Sequence, residues 1–134
     1  MTHLGLGYIY HIQGKYEQSV ALYQHVIDLL PDKVYGNTTI AYAHSNLAVF
    51  YRRQGKVEEA LSESQQVVKV NPKEGYAHHN LACVYSLKNE PQLTIESLQK
   101  AIDLDKSYIE YSKTGPDLEN IRQTPEYQQL IDSY

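Results

Sequence analysis

Asn46 and Asn80 open the same phrase, Asn-Leu-Ala-x-x-Tyr, and stand 34 residues apart. A primary amide carries both a donor and an acceptor, so it can grip a backbone amide whatever the ligand's sequence. Asn46, Val49 and Arg53 recur at i, i+3 and i+7, which on a helix is one face, turned away from Leu47 and Tyr51. Asn80 and Cys83 repeat the arrangement. Arg52 and Arg53 would attract carboxylates. Tyr42 and Tyr76 would supply flat contact at low entropic cost. Together these types suit capture of a peptide. The bland alternative is that the two Asn satisfy neighbouring helices and the Arg pair is solvated.

Catalytic and metal chemistry find less support. His79 and Cys83 are one helical turn apart, but a nucleophile also needs an orienting group and an oxyanion site, and neither is evident. Gly5-Leu6-Gly7 lacks the third glycine and the preceding strand of a dinucleotide fingerprint, and no phosphate loop, His-Glu-x-x-His or Gly-x-Ser-x-Gly occurs. His3, His44 and His78 hold equivalent places in successive segments. Helices pack roughly 8–10 Å apart, whereas zinc needs nitrogens within about 2.1 Å of one centre. These histidines therefore read as packing residues. No catalytic residue, metal site or cofactor is expected, and the chain is expected not to be an enzyme.

The elements that must position the Asn phrase follow from a threefold pattern. His3-x-x-Leu6-Gly7-x-x-Tyr10, His44-x-x-Leu47-Ala48-x-x-Tyr51 and His78-x-x-Leu81-Ala82-x-x-Tyr85 share one layout. Leu and Tyr four residues apart share a helix face, and the small residue beside Leu lets a partner helix approach. Tyr10, Tyr51 and Tyr85 are thus expected in the core. A polar break follows each copy: Gln13-Gly14-Lys15, Gln54-Gly55-Lys56 and Lys88-Asn89-Glu90. Gly14 and Gly55 allow a tight reversal through left-handed backbone, and Asn89 can do the same less easily. Second helices are expected over Tyr16 to Leu29, Val57 to Val70 and Pro91 to Leu104, the first two stopped by Pro31 and Pro72.

This layout resembles the tetratricopeptide repeat, a 34-residue helix pair with a Trp-x-x-Leu-Gly-x-x-Tyr, Ala-x-x-x-Phe and Pro signature. The second unit keeps Leu47, Ala48, Tyr51, Gly55, Ala60 and Pro72, and the first keeps Leu6, Gly7, Tyr10, Gly14, Tyr23 and Pro31. The third has Thr94 and Leu98 for Ala and Phe, and His replaces the first aromatic throughout. The resemblance implies an all-α fold, a right-handed superhelix of stacked antiparallel helix pairs (an α-solenoid). It implies a single domain: repeat 1 over about 1–33, an insertion over 34–40, repeat 2 over 41–74, repeat 3 over 75–108 and a capping segment over 109–134. It places Tyr8, His11, Tyr42, Ser45, Asn46, Val49, Arg52, Arg53, Tyr76, His79, Asn80, Cys83 and Ser86 on the concave side, where members bind a peptide or partner-protein segment. Chaperone-binding members hold a terminal carboxylate with two Lys, two Asn and one Arg. The matching positions here are Tyr76 and Leu4, Tyr8 and Asn46, and Asn80, of which only Asn46 agrees. The ligand expected is a different one.

From Leu6 to Leu47 is 41 residues, so the first two units are separated by seven extra residues, nearly two helical turns. Asn37 or Thr38 is expected to cap a lengthened helix. In the tail, Thr124 should cap a helix with Pro125 in its first position, and Leu118, Ile121, Tyr127, Leu130 and Ile131 should pack on the third unit. The front lacks a cap. Either the chain is part of a longer array or a second copy covers its first unit. Self-assembly through that unit, or service as the regulatory appendage of a larger enzyme, are the alternatives to peptide binding.

Composition agrees with thin helical layers. With 13 Tyr, one Phe and no Trp, most aromatic rings carry a hydroxyl that reaches water or a partner. A net charge of −4 opposes nucleic acid as the main ligand. No apolar run approaches the roughly 20 residues that span a bilayer, and no basic residue precedes the apolar stretch Leu4 to Ile12 as a signal peptide requires. A lone Cys83 makes no internal disulfide. A cytoplasmic protein with protein or peptide partners and no membrane contact is expected, a homo-oligomer being one form it takes.

Overall fold

The structure is a computed structural model and describes residues 16–29 and 36–134. Every regular element among the described residues is helical. In chain order these are α1 (Tyr16–Leu29), α2 (Gly36–Arg53), α3 (Val57–Val70), α4 (Gly75–Leu87), α5 (Pro91–Leu104), α6 (Tyr108–Thr114), a 3₁₀ turn (Pro116–Leu118), α7 (Glu119–Arg122) and α8 (Pro125–Asp132). They fall into two compact units, Met1–Asn71 and Pro72–Tyr134.

In the first unit α2 packs on both α1 and α3. The α2 face that does so carries Ala43, Leu47 and Phe50, all buried, with Ala41 and Ala48 buried beside them. From α3 come Ala60, Ser64 and Val67, three small or medium side chains that let the two backbones approach. Helix α2 starts at Gly36, so Asn37 and Thr38 lie within its first turn. Of the seven extra residues, 36–40 lie in this helix, which runs for 18 residues. His44 Nδ1 meets Glu63 of α3 across this hairpin, so the histidine is held by an acidic partner and not by packing alone. Tyr51 is half-buried rather than enclosed, as is Tyr85 in the second unit. Tyr10 and His3 lie outside the described residues.

The two hairpin reversals among the described residues use one device. Gly55 has φ +76°, and Lys56 N–H donates to Tyr51 O at 2.8 Å while Gly55 N–H donates to Arg52 O at 3.1 Å. Asn89 has φ +59°, with Glu90 N–H on Tyr85 O and Asn89 N–H on Ser86 O, each at 3.0 Å. A left-handed residue just past the helix, with crossed bonds back to its last carbonyls, is a Schellman closure.

Ala82 and Cys83 of α4, Leu98 and Ile102 of α5, and Leu118, Ile121, Tyr127 and Leu130 of the tail form one buried cluster, with Ile131 half-buried against it. The tail therefore covers the third helix pair with the expected side chains. Thr124 caps α8, its hydroxyl oxygen accepting from Tyr127 N–H at 3.3 Å with Pro125 first in the helix. Ser112, fully buried, donates or accepts at Tyr127 OH over 2.8 Å, and Arg122 donates to Ser112 O and Gly115 O. His78, also buried, donates from Nε2 to Pro72 O at 2.7 Å. A carbonyl only accepts, so this bond fixes the Nε2–H tautomer in neutral imidazole.

The two closures predict opposite mutational signs. An added Cβ at Gly55 meets nothing within 4 Å, so Gly55→Ala should cost only the left-handed backbone penalty, about 1 kcal/mol. Asn89→Gly should gain a few tenths of a kcal/mol to about 1. Urea unfolding of each variant checks both: the midpoint falls for the first and rises for the second.

Candidate functional site

Tyr42, Asn46, Val49 and Arg53 lie on the side of α2 opposite its packed face. Tyr42 is 55% exposed, Arg53 is exposed, and Ser45, Asn46, Val49 and Arg52 are half-buried. Among the described residues the Asn46 side chain makes no hydrogen bond. Arg52 and Arg53 sit in the last turn of α2, where positive charge offsets the helix dipole.

The equivalent stretch of α4 differs. Tyr76 and His79 are half-buried, but Asn80 is only 9% exposed and Cys83 only 4%. Cys83, expected along a groove, belongs to the core, because the tail lays Leu118 and Ile121 into the same buried cluster. Its Sγ lies 4.0 Å from His79 Nδ1. That contact is too loose, and the sulfur too enclosed, for an activated nucleophile. Tyr8 and His11 lie outside the described residues.

What the repeat pattern did not reveal is a cluster of rings supplied by α6. The His79 ring centre lies 5.0 Å from that of Tyr108 and 6.4 Å from that of Tyr111, and the two tyrosine ring centres are 5.3 Å apart, each pair tilted. Tyr111 is 56% exposed. Tyr108 is half-buried, and its phenol is pushed up to about 12, chiefly by burial and then by the negative charge of Asp105, with a further push from Glu74. The ring is seated by Gly75 at the start of α4: a Cβ there would stand 2.5 Å from Tyr108 Cε2. The available signal was Tyr108-x-x-Tyr111, two aromatics on one face of a short helix. A separate cavity of about 230 Å³ opens at the far end of α4, lined by Ser86, Glu90, Ile121 and Thr124 among others; of the expected groove residues it includes Ser86 alone.

The chain matches the tetratricopeptide repeat over residues 1–73 and again over residues 75–108. It belongs to the tetratricopeptide repeat family. The solved structures it resembles include "MamA RS-1 ArsTM double mutant", at 21% identity and a TM-score of 0.73, over 98% of this chain and 68% of that one. A second, "Crystal structure of MamA", has 20% identity and a TM-score of 0.70 over 94% of this chain and 72% of that one. A third, MamA from residue 41 to its end from Desulfovibrio magneticus RS-1, has 19% identity and a TM-score of 0.67, over 97% of this chain and 72% of that one. At these identities the likeness shows the fold. A search of curated proteins returned no match. Membership of the tetratricopeptide repeat family supports a protein-interaction or scaffold module. No described helix is long and apolar enough to cross a membrane.

Two outcomes follow from how Tyr108 is seated. Gly75→Ala should destabilise the chain by about 1–3 kcal/mol, through collision with the ring, as read from urea unfolding. The phenols of Tyr108 and of Tyr134, the latter also pushed up to about 12 by burial and by donating to Asp103, titrate later in the folded chain than in the unfolded one. The stability they contribute is intact below about pH 10, the unfolded value, and is lost as pH rises toward 12. The unfolding midpoint should therefore fall across that window, and the Tyr108→Phe, Tyr134→Phe double variant should show a shallower fall.

Proposed function

We propose that this chain is a non-enzymatic interaction module that takes a peptide or partner-protein segment against the first helices of its repeats, the helices that line the concave groove in this family. The observation that carries the reading is the outward face of α2, where an exposed Tyr42 stands one turn from a half-buried Asn46 amide with no hydrogen bond among the described residues. An extended segment presents a peptide N–H and C=O to such an amide, and the ring adds apolar contact at low entropic cost. In the second unit the corresponding contribution comes from Tyr76 and His79, whereas Asn80 and Cys83 are too enclosed to offer much area. Of the thirteen groove positions expected from the sequence, the eleven among the described residues thus do not contribute alike.

The test is capture of partners from native lysate by the immobilised chain, read by mass spectrometry, with the Tyr42→Ala, Asn46→Ala double variant beside it. Both positions lie off the packed face of α2, so the unfolding midpoint should hold while recovery of specific partners drops about tenfold or more, the scale of a two-residue anchor. Equal recovery by the folded variant would remove this face from the binding site. Asn80→Ala, by contrast, should lower the unfolding midpoint, because it truncates a buried side chain.

A further inference from the structure

We propose that the His79, Tyr108 and Tyr111 rings hold a cationic side chain, a guanidinium or an ammonium carried by the partner segment. The inference rests on the interaction-module reading and names the chemistry of one residue in its ligand. Three rings lie within 5.0 to 6.4 Å of one another, tilted by 31° to 57°, and Tyr111 leaves more than half its surface open to an incoming group. Ring faces attract cations through their quadrupole, and arginine most often fills such sites. The surroundings have the matching sign: the carboxylates of Asp105 and Glu74 lie close enough to act on the Tyr108 phenol. An anionic ligand would meet repulsion there, and a neutral one would lack the attraction of opposite charges.

The same unit already holds one cation by these means. Lys106 Nζ sits 4.3 Å from the centre of the Tyr134 ring and 3.9 Å from Asp103 Oδ1, while Tyr134 OH donates to that carboxylate at 2.6 Å. An aromatic face with a carboxylate beside it is thus a working cation site in this chain. The His79, Tyr108 and Tyr111 cluster has the same ingredients in greater number, and among the described residues no cation lies over the Tyr108 or Tyr111 ring. Gly75 is part of the construction, since any side chain there would push the Tyr108 ring out of place.

The experiment is an NMR titration of the full chain, with labelled backbone amides and tyrosine rings, by N-acetyl-L-arginine amide and by its neutral isostere N-acetyl-L-citrulline amide. The arginine probe should move the Tyr108 and Tyr111 ring signals and the amides of Gly75 and His79, with a Kd on the order of 1 mM. Citrulline should bind about two- to fivefold more weakly, the measure of a cation on exposed rings. Tyr111→Leu removes an exposed ring and should weaken arginine binding by a similar factor with the unfolding midpoint unchanged. Equal responses to arginine and citrulline, or an arginine response indifferent to Tyr111→Leu, would overturn the proposal. The two readings fail separately. Partner capture that depends on Tyr42 and Asn46, beside probes that bind alike, removes the cation site and leaves the groove. Arginine-selective binding, beside capture indifferent to Tyr42 and Asn46, does the reverse.

Discussion

A helix can be stopped and turned back within three residues only where one of them accepts left-handed backbone and its neighbours tie off the last carbonyls. Gly55 and Asn89 meet that constraint with the same pair of crossed hydrogen bonds. Each bond satisfies a carbonyl that would otherwise be orphaned at a helix end. Because the reversal is short, α3 lies against α2 and α5 against α4. The packed faces, and by exclusion the faces left for a ligand, follow from that pairing. A longer or looser connection would leave the rotation of each helix unspecified.

The packing that results is made from small residues. Ala43, Ala48 and Ala60 in the first unit, and Ala77, Ala82 and Ala101 in the second, are fully buried. They permit backbones to come close, at the cost of little apolar area per residue. The buried Ser64 and Ser86 hydroxyls make no hydrogen bond among the described residues, but other polar groups in these thin layers have partners: Thr94 donates to Glu90 O, His78 to Pro72 O, and Ser112 bonds both Ile109 O and Tyr127 OH. Histidine in the place where the repeat family has an aromatic is thereby explained. His44 and His78 fill comparable space and also reach an acceptor that an aromatic hydrocarbon would leave bare.

The tail is both lid and contributor. Leu118, Ile121, Tyr127 and Leu130 complete the core over the third helix pair, and in doing so they enclose Cys83, a position that repeat geometry alone would leave open. At the same time α6 brings Tyr108 and Tyr111 onto His79. The candidate binding surface of this unit is therefore built partly by residues outside the repeat signature, and its acidic, aromatic character differs from the amide-centred face of α2.

The helix pairs were legible in the sequence because their causes are local. Glycine or asparagine at the reversal, proline past the end, and Leu-x-x-x-Tyr spacing act within one or two turns, so Val57–Val70 and Pro91–Leu104 appear where the pattern places them. The capping of α8 by Thr124 is local for the same reason. The start of α2 was not legible: Asn37 and Thr38 are caps by residue type, yet both lie within the described helix. Burial was legible only within a repeat. Whether Asn80 and Cys83 face solvent depends on what the tail covers, and whether Tyr108 meets His79 depends on a glycine 33 positions before it in the chain. Those contacts join segments with no shared period. Periodicity reports which way a side chain points from its own helix, and only the folded chain decides what stands in front of it.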